Sequence, residues 1–277
     1  MRIIKLTLET PVEAGLEILL AAPIDTPEQR VRKIEVTGFD VRHAECLNSG
    51  QPLLRLRQRA GAAGEVRLTF DEPGPGFPDW AFEPTGGPHE TPSSELKRLI
   101  EDIAPLTLST PERVERIIRH IEERFTYGVP EIGLADDLEA MPALACGLHQ
   151  GTCVDTHSYG VAAFRAAGLR AAYVSGLYFE EGTKIGRPGH CWMAVKAEGA
   201  PHHWDVSHFL KFGLGPTLPV YNPKPGIRYA MAIGRDILVE GEAGPVTLGR
   251  LSGFHLLSGP ECGLKLATLA ELIEMSP

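Results

Sequence analysis

Between Met1 and about Phe82 the chain alternates apolar and polar residues in short runs. Arg32-Lys33-Ile34-Glu35-Val36 and Glu65-Val66-Arg67-Leu68-Thr69-Phe70 repeat at period two, which sends successive side chains to opposite faces of an extended segment. Leu53-Leu54-Arg55-Leu56-Arg57 does the same with one basic face, after a turn at Asn48-Ser49-Gly50. These runs predict an N-terminal antiparallel β-sandwich over residues 1–84. Pro73-Gly74-Pro75-Gly76 and Gly86-Gly87-Pro88 then break any regular element, because proline lacks the N–H that a ladder or helix needs. A second unit is expected over residues 93–277.

The period lengthens after this break. Ser93 or Ser94 can cap a helix running through Ile103, and Thr110-Pro111-Glu112 opens another with Val114, Ile117, Ile118 and Ile121 on one face. A further helix is expected from Asp136 to Leu148, with Cys146 filling core beside Leu138 and Leu144. Gly151-Thr152-Cys153-Val154-Asp155 leads into Val161, Ala162, Phe164 and Ala166 and stops at Gly168, so Cys153 stands at a helix N-terminus. Three strands should follow: one over 171–178, a second beginning at His190, and a third at His203-Trp204-Asp205-Val206 after the break at 198–201. Beyond about Glu240 the alternation predicts strands that extend this sheet or close back on the sandwich. The fold class is α+β.

Composition narrows the functions. Twenty-seven basic and thirty-six acidic residues give a net charge of -9, the wrong sign for nucleic acid or anionic lipid. The start MRIIKLTLET has no apolar core of signal-peptide length and no later run is long enough to span a bilayer, so the expectation is a cytoplasmic protein with neither partner. Five cysteines, at 46, 146, 153, 191 and 262, are too scattered for a disulfide framework and read as reduced thiols.

Cys153 is the candidate nucleophile. The unpaired N–H groups and positive dipole end of its helix favour thiolate over thiol, and the Cys153 N–H can hold an oxyanion, with Gln150 the candidate second donor. Adjacent antiparallel strands can bring His190 and Asp205 together, so that the carboxylate orients the imidazole and stabilises its cation. Tyr178, Trp192 and Trp204 are candidate walls of the substrate cleft. Cys146-x-x-His149, Cys153-x-x-x-His157 and His190-Cys191 also suggest a metal site, but one helix would have to supply four ligands while Asp205 went unexplained. His149 and His157 therefore read as polar surface or hydrogen-bonded side chains, Arg235-Asp236 as a structural ion pair in preference to a substrate contact, and neither metal nor cofactor is expected.

Gly151-x-Cys153-x-Asp155 with Phe164-Arg165-Ala166-Ala167-Gly168-Leu169-x-Ala171, Gly189-His190-x-Trp192 and Trp204-Asp205 resemble the nucleophile helix, histidine strand and aspartate strand of the transglutaminase-like superfamily, a papain-related group. Cys to His spans 37 positions and His to Asp 15, similar to compact bacterial members. The resemblance runs from about Ser94 to Asp236, where Ala232-x-Gly234-Arg235-Asp236 is similar to the segment closing the bacterial core. Gln29-Arg30-Val31 and the Asn48 turn resemble the β-rich region before it. Val206-Ser207 stands where the family often has Pro-Thr. The resemblance implies a papain-like core in which the nucleophile helix packs on an antiparallel sheet. It also implies acyl transfer from a peptide or small amide through a Cys153 thioester, with His190 and Asp205 completing the triad. Hydrolysis is favoured over cross-linking, since aromatics make up only 7% of the chain and a dry acceptor tunnel needs large apolar walls. An amine-accepting transferase and a binding module that has lost catalysis are the alternatives.

Overall fold

The computed structural model describes residues 1–131, 133 and 138–274 and is a mixed α+β fold, mostly sheet, with four α-helices among those residues. The early alternation becomes six strands: β1 (Arg2–Leu8), β2 (Glu17–Ala21), β3 (Arg30–Thr37), β4 (Phe39–Glu45), β5 (Pro52–Gln58) and β6 (Glu65–Asp71). Next come α1 (Ser94–Ile103), α2 (Thr110–Arg124), β7 (Phe125–Tyr127), β8 (His149–Gly151) and α3 (Cys153–Ala166). After them run β9 (Ala171–Glu180), β10 (Ile185–Gly186), β11 (His190–Ala197), β12 (Ala200–Trp204), α4 (Val206–Phe212) and β13 (Gly226–Ile233). The chain ends through β14 (Ile237–Gly241), β15 (Gly244–Leu248), β16 (Phe254–Leu256) and β17 (Thr268–Glu274).

Two sheets form from the first and last segments, in the orders β10-β17-β1-β6-β3 and β16-β2-β5-β4. Alternate residues of both, Ile4, Leu6, Leu68 and Phe70 from one and Ile18, Leu20, Leu54 and Leu56 from the other, are buried in one apolar cluster. Leu177, Phe179, Tyr229 and Met231 from β9 and β13 join the same cluster, which ties these sheets to the rest of the molecule.

The C-terminal strands close back. Leu6 faces Ala270 and Ile4 faces Leu272 across β1 and β17, and Phe254 faces Leu20 across β16 and β2. The span 93–277 expected for the second unit therefore loses 254–256 and 268–274 to the first two sheets. An alternating run states which of its faces is buried but not which strand lies beside it. Here β17 covers what would otherwise be the open edge of β1, with its unpaired backbone groups.

The site is built on the four-stranded antiparallel sheet β12-β11-β9-β13 and the helices against it. Ser93, one of the two expected caps, caps α1 by accepting the Leu96 N–H (3.1 Å); α2 begins at Thr110 as expected, and there the Glu112 carboxylate accepts the Ser109 N–H (2.9 Å). Their apolar faces, Leu96 and Ile100 with Val114, Ile117 and Ile121, bury against Tyr159, Val161 and Phe164 of α3. A Cβ on Gly160 would meet the Met193 sulfur at 2.3 Å, so this glycine lets α3 lie directly on β11.

Two expected elements differ. Of the helix expected from Asp136 to Leu148, the beginning lies outside the described residues, and 138–148 are not helical: Pro142 removes a donor and Gly147 takes a positive φ of 79°. Cys146 is consequently exposed, while Leu144 alone of that stretch's expected core pair is fully buried and Leu138 packs partly buried beside it. The third strand stops at Trp204. Asp205 instead caps α4, its carboxylate accepting the His208 N–H at 3.1 Å, and the acid's preference for an N-cap overrides the strand pattern.

If the returning C-terminal segment is part of the first core, Phe254→Ala should lose about 3–5 kcal/mol, the cost of emptying a fully buried aromatic site. A urea midpoint within error of the parent would show that this segment contributes nothing to the cooperative unit.

Candidate active site

Cys153 is the first residue of α3. Thr152 caps the helix, its hydroxyl accepting the Val154 N–H (3.2 Å), and the Asp155 carboxylate reaches back to the Thr152 N–H (2.8 Å). The N-terminal turn is thereby held still, with the dipole's positive end at the thiol. His190 is the first residue of β11 and pairs with Gly176 of β9. Before it Gly189 has φ 146°, a conformation that side chains resist, and this turns the Gly189 carbonyl to 3.9 Å from the Cys153 sulfur.

Asp205 has no exposed surface and is ringed by polar partners. Its Oδ2 accepts from His190 Nε2 (2.8 Å) and an Arg228 Nη (2.9 Å), with His208 Nδ1 at 3.2 Å; Oδ1 accepts from the Ser207 hydroxyl at 2.8 Å. Burial alone would raise this carboxyl's pKa, but the His190 charge and hydrogen bond and the Arg228 charge outweigh it and hold the pKa well below the usual range. The same balance acts on His190, which burial would neutralise and which Asp205 instead raises. With Nε2 committed to Asp205, Nδ1 is left for the Cys153 sulfur. His208 stacks on the His190 ring with centroids 4.1 Å apart, and burial drops its pKa to about 3, so it stays neutral.

His190, Asp205 and His208 present ligand atoms within 4.8 Å of one another, a spacing that could suit a metal. The permanent charge of Arg228 on the same carboxylate oxygen opposes a dication there, and the cluster is better described as a hydrogen-bonded anion.

The thiol is half-buried. Its pKa lies well below the ordinary value, first through a hydrogen bond from Cys191, then, against the cost of burial, through the hydrogen bond and charge of His190. Cys191 moves the opposite way: burial keeps it a thiol and hence a donor. Behind it the fully buried His157 sits with Nδ1 3.7 Å from the Cys191 sulfur and Nε2 3.4 Å from the Ser207 N–H. His157, expected to be a hydrogen-bonded side chain, is that.

The other expected site residues divide. Tyr178 stands on the rim, its ring 5.9 Å from His190 and 5.2 Å from His208. Trp192 and Trp204 do not wall a cleft. Trp192 is fully buried and donates to His203 Nδ1 at 2.9 Å, and Trp204 is buried among the α3 residues, because alternate positions of β11 and β12 face core on both sides of the sheet. Gln150 is exposed on β8 and its amide lies over Gly128. Arg235 and Asp236 diverge: Asp236 pairs with His89 Nδ1, and Arg235 donates to the Ser158 hydroxyl at 2.8 Å.

Arg228, His208 and Tyr127 were not singled out from the sequence, and Cys191 was weighed there only as a reduced thiol and a rejected metal ligand. A weak signal existed for His208, three residues after the capping acid. Arg228 is 23 positions from Asp205 and carried none.

Residues 97–206 match the model of the transglutaminase-like superfamily. The matched span runs from α1 to the start of α4 and contains Cys153, His190 and Asp205. Over the whole chain, the fold is similar to that of a "Putative Cysteine Protease" from Cytophaga hutchinsonii, at TM-score 0.52 and 14% identity, covering 98% of this chain and 97% of that one. The periplasmic domain of TgpA from Pseudomonas aeruginosa is a looser likeness, at TM-score 0.37 and 11% identity over 76% of this chain and 89% of that one. No curated protein sequence matches. The matched span thus occupies the middle of the chain, and strands from both ends flank it.

Because the Cys153 pKa is lowered, its thiolate should persist as pH falls below the ordinary thiol range and disappear only at the depressed value. Alkylation by iodoacetamide should therefore be nearly as fast at pH 6 as at pH 8.5, where free cysteine slows on the order of a hundredfold. Peptide mapping should place the label on Cys153. A rate that tracks free cysteine would remove the thiolate–imidazolium pair.

Proposed function

We propose that this chain is a thiol-dependent amide hydrolase in which Cys153 is the nucleophile, His190 the acid and base, and Asp205 the group that orients and charges His190. The observation that carries the reading is the depressed Cys153 pKa at a capped helix N-terminus, beside an imidazole whose other nitrogen is held by a buried carboxylate. The transglutaminase-like match over 97–206 supports the same assignment.

The thiolate attacks the carbonyl of a peptide or small amide, and the pair of electrons displaced onto oxygen is stabilised by the Cys153 N–H at the helix start, with the Gln150 amide the candidate second donor. The tetrahedral adduct collapses to a thioester as His190 passes its proton to the departing amine. His190, now neutral, takes a proton from water, the hydroxide adds to the thioester, and the acid leaves as the thiolate returns. Asp205 stays ionised throughout, which keeps the imidazolium accessible at each protonation.

Water rather than an amine is the favoured acceptor. An amine-transfer enzyme needs a dry channel with large apolar walls, and the two tryptophans nearest the site in sequence, Trp192 and Trp204, are spent in the core. The two N-terminal sheets, sharing one cluster, support a β-sandwich that braces β9 and β13 from behind.

The test is a set of peptide amides offered with a fluorescent primary amine, with acid release and amine incorporation measured together. Acid should dominate at low amine concentration, an acyl adduct should be trapped on Cys153 by intact mass, and Cys153→Ala should lower turnover by at least about 10³-fold. Dominant amine incorporation would make the chain a transferase, and full activity without the thiol would end the assignment.

A further inference from the structure

The protein is acidic overall, with a net charge of -9, yet the walls of this cleft are cationic. On the Gly189 side, Lys265 extends its ammonium to the Pro188 carbonyl at 2.9 Å and to 3.4 Å from the position of a Cβ on Gly189, whose own carbonyl touches the Cys153 sulfur. Arg250 arrives beside it: the next residue, Leu251, accepts at its carbonyl from the Ser175 hydroxyl, and Ser175 is the cross-strand partner of Cys191. Burial first and the Arg250 charge second lower the Lys265 pKa, whereas burial acting on Arg250 is outweighed by Tyr173, Cys191 and Cys153, which raise it. Neither has a carboxylate within ion-pairing distance among the described residues; Glu9, in the same groove as Lys265, pairs with Arg187 at 2.9 Å.

Across the cleft, Lys211 lies over the Tyr127 ring at 5.1 Å, and Tyr127 pairs with Gly151, two residues before the thiol. Lys224 sits 5.8 Å from the Tyr178 ring centre but is paired with Glu180, so its charge is already answered. At the centre itself, Asp205 is buried and compensated by Arg228 and His190, and the Asp155 carboxylate is taken up by the α3 cap.

An ammonium near the thiol with no carboxylate partner leaves a positive potential that an anionic group on a substrate can answer. We propose that the amide cleaved here carries a carboxylate beside the scissile bond, as an acidic peptide does, and that Lys265 receives it, with Arg250 and Lys211 adding to the attraction through charge. This rests on the reading of Cys153 as the nucleophile. A groove of about 270 Å³, whose lining includes Glu9, Arg187, Pro188 and Lys265, opens beside the Lys265 ammonium.

Iodoacetate and iodoacetamide differ in one negative charge and attack the same sulfur, so the ratio of their rates at Cys153 reads the local potential without a known substrate. Measured at pH 7 and low salt and divided by the ratio for free cysteine, it should favour iodoacetate about tenfold and approach parity in 1 M salt. The His190 imidazolium and the helix dipole contribute to that preference, so the variants decide. Lys265→Gln, at an exposed position whose loss does not threaten folding, should cut the ratio at least about threefold, and Lys265→Gln with Arg250→Gln should cut it further. Lys97→Gln, on the exposed face of α1, should leave it unchanged. An undiminished ratio in Lys265→Gln overturns the carboxylate site while leaving the nucleophile intact. Failure of both reagents to modify Cys153 overturns the nucleophile as well.

Discussion

A carboxylate with no exposed surface holds this site together. Asp205 can remain charged in the interior only because Arg228, His190 and the first turn of α4 all direct positive charge or N–H and O–H donors at it. Each comes from a different element: β13, β11 and α4. The ion therefore fixes the mutual positions of three segments as well as the orientation of an imidazole. Removing one partner of such a cluster typically costs about 3–5 kcal/mol, because the remaining charge is left buried and uncompensated. Structure and chemistry are hard to separate at this residue.

The sulfur side depends on close approach. Gly160 brings α3 onto β11, which puts the start of the helix against the start of the strand and so sets Cys153 beside both His190 and Cys191. Adjacent residues of a strand point to opposite faces, yet His190 and Cys191 both reach the thiol, because it sits at the strand's very end where the Gly189 turn begins. Cys191, kept protonated by its burial and backed by His157, donates to the sulfur, while Asp205 raises His190 toward its charged form on the other side.

The last forty residues matter to both halves. As the chain leaves β15 for the N-terminal sheets it passes Arg250 and Lys265 along the edge of the cleft, then adds β16 and β17 to the sheets that brace β9 and β13 from behind. Anchoring in the first core holds the cationic wall in place, so a segment outside the matched span 97–206 contributes to the surroundings of the thiol.

The order of strands and helices around Cys153 and His190 was legible in the sequence because it depends on local chemistry: the Thr152 and Asp155 cap, the helical period after it, the Gly189 break and the alternation in β9 and β11. The pairing of His190 with Asp205 was also expected, though through two strands rather than through a strand end and a helix cap. Neither the capping role of Asp205 nor its charge partners followed from the pattern. Arg228 and Tyr127 are distant in sequence, and Trp192 and Trp204 look the same in a linear reading whether they line a cleft or fill a core. The closing strands were legible as strands but not as neighbours of β1 and β2. Periodicity records which face of an element avoids water, and it is silent on what covers that face. Compensation of a buried charge and the choice of strand neighbour are properties of the packed chain, so only the tertiary structure decides them.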